Sequence, residues 1–429
     1  MAHVAVIAQR PHPVGSPDHD RVRDYLRSQF AQYGLTAQVE TGLGRYEGPG
    51  ATIENVLTRL PGTANTRPVM LVAHYDSVSR GPGAGDDGHG VAVLLETLRA
   101  LKASPPLRND AIFLVTDGEE IGLVGAAVFA RDHPWRKEPG VVLNFEARGT
   151  SGIPQMFETS EGNLWLARNL QQAVPQAAAS SFAYEVYRRM PNGTDLTIFK
   201  RQGLAGMNFA FIEHPELYHS RHDDVAHLDR HSVQEQGRYA LALARQFGNQ
   251  DLSSQHSGDA VYFPTKLTPL IVYPVSLVFP SACLLTASLL MAFVAGIRHR
   301  TRGLWMAAPL GVVAALMFLA AQAAPGVSYL LEWPFAAAAM SFLLLVSAPE
   351  LVKPGIRVAL LMLAPAGVTL ILLPLPGVLA VALGWRGAAP IVIVDLLVVL
   401  VCLAPQLALM VRGQRGKPGF ECQGEGLGE

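Results

Sequence analysis

Charged residues become scarce near residue 267 and stay scarce to about residue 411, and this break limits the possible folds more than any motif does. Averages hide it: of 429 residues, 50% are hydrophobic and 16% charged, with a formal net charge of −1. Residues 1 to about 260 carry Asp, Glu, Arg and His throughout, as a water-facing domain needs. Beyond them come apolar runs near 271–296, 304–323, 329–348, 358–383 and 388–411. A helix needs about 20 apolar residues to cross a bilayer. The chain is therefore expected to hold a polar domain at 1–260, an all-α region of about five transmembrane helices at 261–412, and a flexible tail at 413–429. Near-neutral charge gives no footprint for nucleic acid. Cys283, Cys402 and Cys422 all lie outside the polar half, which therefore has neither a disulfide frame nor thiolate metal ligands.

Loop charge orients the spans. "RHRTR", "VKPGIR" and "VRGQRGK" follow the first, third and fifth runs, while the other loops hold little beyond Arg386. Basic loops stay on the cytoplasmic side. Five spans then put the C-terminus in the cytoplasm and the polar domain on the other side of the bilayer. The fourth run contains "LPLPG" and reads as one kinked helix or a re-entrant pair. "MAHVAVIAQRP" is too short an apolar stretch for a signal peptide. Either the first span exports what precedes it, or a helix upstream of this chain does; the second reading is favoured. Asp395 sits inside the fifth run, where an acid is a functional candidate. The alternative is a carboxylate reaching the interface or pairing with Arg386.

Within the polar half, "GSPDHDRVRDYLRSQFAQYGL" reads as a helix capped by Ser16, with Pro17 in its first turn, an apolar stripe through Val22, Tyr25, Leu26 and Phe30, and a stop at Gly34. Short apolar runs follow at "NVLTRL", "PVMLVAH", "AIFLVTD", "GVVLNFEA" and "GMNFAFIE", with helical patterns between several of them. That alternation predicts an α/β domain with a mainly parallel sheet. Sites in such sheets gather at the carboxyl ends of strands.

Those ends carry the unusual residues: His74 and Asp76 with Asp86 and Asp87 in the next turn; Asp117, Glu119 and Glu120; Glu146; then His219 and His222. One acid there could simply favour a helix N-terminus. Four converging groups repel unless a cation or shared protons intervene. Imidazole with carboxylate suits zinc, and the acids outnumber what one tetrahedral ion needs. Two ions about 3.5–4 Å apart, sharing a carboxylate, fit better.

Taken together, "HYDSV", a spacing of 12 residues from His74 to Asp86, "DGEE", "NFEARG" and "YHSRHDD" resemble the co-catalytic zinc metallopeptidases of the aminopeptidase Y and glutamate carboxypeptidase group, peptidase family M28, over residues 10–245. The pattern is most similar to the membrane-anchored subgroup of vacuolar membrane protease and endoplasmic reticulum metallopeptidase. The resemblance implies a three-layer αβα zinc-exopeptidase fold with a mainly parallel mixed sheet. It implies two Zn2+ per chain: His74, Asp86 and Glu146 on one, Asp86, Glu120 and His219 on the other, with Asp86 bridging. It makes Glu119 the general base, and puts Asp76 behind His74 to fix its tautomer. It also implies a cis peptide between Asp86 and Asp87. The expected function is a membrane-anchored exopeptidase, favoured as an aminopeptidase, acting on peptides and held in a lipid bilayer. Oligomeric state is not legible.

Other classes were weighed. A non-catalytic receptor or scaffold on the same fold is disfavoured by the complete ligand set. A transporter using Asp395 is disfavoured by the lack of internal repeats, and a single-zinc aminoacyl cyclase by the paired ligands. Among remaining residues, His89 reads as pocket-lining or solvated, and His222 and Asp223 as part of the loop carrying His219. Asp195 reads as near the substrate cleft or a helix cap, and Asn192 as a sugar-acceptor site in a secretory host. His12, His133 and His214 read as surface residues.

Overall fold

The computed structural model describes residues 1–280 apart from 47, 49, 255–257, 265–268 and 279. The four later apolar runs, Arg386, Asp395 and the C-terminal tail lie outside the described residues. Among the described residues, no helix is long and apolar enough to cross a membrane. Residues Met1–Val275 form one unit.

The expected strands exist. β1 (Gln38–Gly44), β2 (Ala51–Leu60), β3 (Val69–His74), β4 (Ala111–Thr116), β5 (Val141–Ala147), β6 (Gln155–Thr159), β7 (Ala178–Ala179) and β8 (Gly206–Phe211) build one sheet in the order β1-β2-β4-β3-β5-β8-β6-β7. The pairs β4–β3, β3–β5 and β5–β8 are parallel, and antiparallel pairs flank them at β1–β2, β2–β4 and β6–β8. The sheet is thus mixed, with a parallel centre.

Alternation within the central strands explains the layering. Leu71, Ala73, Phe113, Val115, Leu143 and Phe145 face one core. Met70, Val72, Ile112, Leu114 and Val142 face another. Strands that are apolar on both faces need cover on both. On the first face, α2 (Pro17–Gln32), α3 (His89–Lys102), α5 (Leu164–Ala173) and α8 (Arg230–Gly248) supply it, through residues such as Leu26, Leu94, Leu170 and Leu243. On the second, α4 (Val124–Asp132) and α7 (Asp195–Arg201) do so through Phe129 and Phe199. Short helices α1 (Ala2–Ile7) and α6 (Ser181–Tyr187) complete the set. The start of α2 follows its sequence signals: Ser16 Oγ accepts the His19 N–H at 3.2 Å and Pro17 leads the first turn.

Residues 271–274, read from apolarity alone as the head of a span, are instead a strand. β10 (Ile271–Pro274) pairs antiparallel with β9 (Ala260–Phe263). Val261, Tyr262 and Leu270 are fully or almost fully buried, and Tyr262 and Leu270 belong to the first core. The four residues of β10 themselves are half-buried, with Val272 packed against the first core.

Candidate metal centre

Parallel register places the carboxyl ends of β3, β4, β5 and β8 side by side, and the chemistry-bearing residues stand there or in the loops that follow. His74 closes β3 and Glu146 lies at the end of β5. Asp86 sits in the tight turn Ala84–Gly88 between β3 and α3, with a non-helical backbone at φ −114° and ψ 93°. The Asp86–Asp87 peptide is cis, as expected. Two glycines make this turn possible. Gly83 has a φ of +66°, and a Cβ on Gly85 would lie 2.7 Å from both Asp223 Oδ1 and the Gly149 carbonyl oxygen.

Asp86 is the hub. Its Oδ1 is 3.1 Å from His74 Nε2, and its Oδ2 is 3.0 Å from His219 Nε2. His219 Nε2 is also 2.9 Å from Glu120 Oε2, and His74 Nε2 is 3.7 Å from Glu146 Oε2. Two trios result, His74/Asp86/Glu146 and Asp86/Glu120/His219, each with its ligand atoms within 4.8 Å of one another. Glu119 belongs to neither. His74 and Asp86 are buried, Glu146 nearly so, and His219 opens to solvent with a φ of 56° and its ring stacked 3.8 Å from that of Tyr218.

The surrounding bonds hold these groups in place. His74 Nδ1–H donates to the Asp76 carbonyl at 3.0 Å, leaving Nε2 facing the carboxylates. The Asp76 carboxylate accepts the Glu119 N–H at 3.0 Å and the Glu120 N–H at 3.2 Å, so it fixes the turn on which the adjacent glutamates diverge. It also lies 3.4 Å from His74 Nδ1. Glu146 Oε1 accepts from Asn144 Nδ2 at 3.1 Å, and Asn144 donates equally to Asn208. Asp223 accepts the Gly85 N–H at 2.6 Å and the Asp86 N–H at 3.1 Å. Asp87 accepts the His74 and Gly90 N–H groups.

Charge is unevenly shared. Burial works against the His74 imidazolium, but Asp76, Asp86, Glu119 and Glu146 outweigh it and push its pKa well up. Burial raises Asp86, yet His219 and His74 hold it well below the carboxylate range. Burial lifts Glu119 and Glu146 far above that range, helped by neighbouring carboxylates. Burial and the Asp86 charge lift Glu120 to about 7. His219 rises to about 9: burial opposes this, but Asp86 and Glu120 dominate. The cluster therefore sets four carboxyls against two imidazoles, and without a cation its buried glutamates hold on to their protons.

Asp117, at the end of β4, stays outside both trios. Its Oδ1 takes His19 Nε2 at 2.7 Å and its Oδ2 the Glu54 N–H at 2.7 Å. Asp195 is buried at the start of α7 and bonds Thr116, but it is not the cap; Thr194 is, with its N–H on Thr197 Oγ1 at 3.1 Å. His89 is not solvated: it is fully buried, 2.5 Å from the Gly85 carbonyl and packed on Phe211. His12 and His133 are also buried, contrary to expectation. His12 donates its N–H to Ser77, and His133 stacks on Phe129. His214 and Asn192 are exposed. The holding role of Asp223 was not read from sequence, where it looked like ordinary loop.

The family model described as "Peptidase family M28" matches residues 55–244, which span every member of both trios. This domain belongs to peptidase family M28. The chain is 33% identical over 241 residues to "Endoplasmic reticulum metallopeptidase 1" of Rattus norvegicus, covering 54% of this chain and 27% of that protein. Identity is 31% over 308 residues to "Vacuolar membrane protease" of Eremothecium gossypii, covering 66% of this chain and 30% of that one. The chain thus spans under a third of the length of these curated relatives. Among solved structures, an aminopeptidase from Aneurinibacillus sp. strain AM-1 superposes with a TM-score of 0.48 at 14% identity, covering 58% of this chain and 93% of that chain.

Proposed function

We propose that the M28 domain is a zinc exopeptidase, acting as an aminopeptidase, that holds two Zn2+ ions per chain. The observation that carries this is one carboxylate, Asp86, shared by two trios while Glu119 stands outside both. The donor set fits. Zinc sits about 2.0–2.2 Å from N and O ligands, so tetrahedral neighbours lie about 3.4 Å apart. The closest donor pairs here are 2.9, 3.0, 3.1 and 3.7 Å apart. Glu120 Oε1 is buried without a hydrogen-bond partner, and a dication in place of shared protons would relieve the four crowded carboxyls.

His74, Asp86 and Glu146 would hold one ion, and Asp86, Glu120 and His219 the other. Zinc there supplies Lewis-acid polarisation of the scissile carbonyl and of the attacking water. The chain's own residues do the rest. Glu119 accepts a proton from the water and returns it to the leaving amine. Asp76, by binding both glutamate N–H groups, keeps Glu120 on the trio and Glu119 off it. It also sits behind His74, whose Nδ1 proton is held by the Asp76 carbonyl so that Nε2 is free to ligate.

The apolar runs beyond residue 280 and the printed names of the relatives support a multi-pass chain in a lipid bilayer, with peptides as substrates. The loop charges support a peptidase domain outside the cytoplasm and a cytoplasmic C-terminus. The test is Glu119→Gln. Hydrolysis of free-amino peptides should fall by about 10²–10⁴-fold with zinc content unchanged. Undiminished turnover would remove Glu119 from the mechanism. Equal cleavage of free-amino and amino-blocked peptides by the unaltered chain would remove the aminopeptidase assignment.

A further inference from the structure

We infer that His222, Asp224 and His227 form a separate binding site for a divalent transition-metal ion on the outer side of the loop that carries His219. One donor atom from each lies within 4.8 Å of the other two. The His222 and His227 rings are 5.2 Å apart at 72°, and His227 Nδ1 is 2.8 Å from Asp224 Oδ1. Two imidazoles and one carboxylate form a donor set that zinc or copper(II) favours over calcium or magnesium. Both histidines are exposed, so water can complete the coordination. Arg221 Nε lies 3.2 Å from His222 Nε2, and binding an ion through that nitrogen requires the guanidinium to swing away.

The backbone beneath the three residues is already ordered, which sets them apart from scattered surface histidines. Asp223 is tied to Gly85 and Asp86, and Leu228 is buried. The Asp229 N–H bonds the Thr150 carbonyl at 2.8 Å. Asp224 Oδ1 accepts the Ala226 and His227 N–H groups at 2.9 and 3.1 Å, closing a turn that brings His227 back toward His222. The loop therefore presents two faces. His219 and Asp223 point inward to Asp86, while His222, Asp224 and His227 gather outside. An ion held outside would fasten the segment that positions His219. The outer site shares no ligand with the inner trios, so it stands whether or not those hold zinc.

The test counts zinc on the full chain without a polyhistidine tag. Metal-stripped protein is dialysed against graded zinc and bound zinc is measured by elemental analysis. His222→Ala with His227→Ala should bind one equivalent fewer than the unaltered chain, or bind that equivalent at least tenfold more weakly, while His231→Ala should match the unaltered chain. Asp224 is kept because it also closes the turn. Copper(II) added to zinc-saturated protein should give an electron paramagnetic resonance signal with nitrogen hyperfine splitting, absent from the double variant. Superimposable zinc curves for the unaltered chain and the double variant overturn the site, as does loss of more than one equivalent, which would mean the outer residues are part of the inner centre. Failure of the two-zinc reading would show differently, as a low total in both proteins with the difference between them retained.

Discussion

Two buried clusters of histidine and carboxylate stand at neighbouring strand ends, and their bonding differs. At the end of β4, Asp117 meets one imidazole, His19, and one backbone N–H, from Glu54, so each of its oxygens has a partner at 2.7 Å. The His19 ring stacks 4.7 Å from that of Tyr75, which closes the group off. Around Asp86, two imidazoles face Asp86, Glu119, Glu120 and Glu146, and one Glu120 oxygen has no partner. The Asp117 carboxylate has both oxygens satisfied and faces a single imidazole, although His19 Nδ1 is left without a partner. The Asp86 cluster sets four carboxyls against two imidazoles, which calls for shared protons or a cation. The ratio of carboxyl to imidazole, not the presence of an unpartnered atom, separates the two.

The contrast breaks most sharply at Asp86. Asp86→Ala should drop hydrolysis to background and strip both trios of zinc, measured by elemental analysis; full zinc content would show that Asp86 is no bridge. Asp117→Ala should act on stability instead, costing about 3–5 kcal/mol as a broken buried pair, read by denaturant unfolding, with zinc stoichiometry intact. If zinc is lost and stability is kept, the two clusters have been assigned the wrong way round. Asp76→Asn falls between them, because Asp76 holds the Glu119–Glu120 turn and backs His74 without joining either trio. It should lower zinc affinity or activity by about 10–100-fold without abolishing either. The smallest effect is a pH dependence. Burial lowers the His19 pKa, but Asp117 outweighs it and leaves it raised above 6.5. A raised imidazole contributes stability that is fully present below its unfolded value and lost as pH climbs through the folded one. The stability difference between the unaltered chain and His19→Gln should therefore shrink from pH 6 to pH 9; a difference that grows would refute the pairing.

Sequence legibility followed the range of the interactions. β3, β4, β5 and β8 were readable because each is a short apolar run whose end changes character abruptly, and α2 was readable from Ser16 and Pro17. Several acids at equivalent strand ends pointed to a shared cation, but the division into two trios came only from the family resemblance of "HYDSV", "DGEE", "NFEARG" and "YHSRHDD". β1 was missed: it is an edge strand whose residues are mostly exposed or half-buried, so it lacks an apolar run. β10 was misread because four apolar residues look alike whether they open a span or pair as a half-buried strand. The burial of His12 and His133 and the grip of Asp223 depend on partners far along the chain or on ring stacking, which no local pattern encodes. Asp117 stood in the sequence as one more strand-end acid, and only the location of His19, 98 residues earlier, shows what it binds.

The Asp223 clamp bears on when the centre comes into being. Its carboxylate joins residue 223 to backbone 137 and 138 positions earlier. A ribosome makes His74, Asp86, Glu120 and Glu146 long before the residue that secures the Asp86 turn. The turn that carries Asp86 therefore gains this fastening only after residue 223 has been made, and a polypeptide cut short before it would keep most of the donors but lack the clamp across the Asp86 turn.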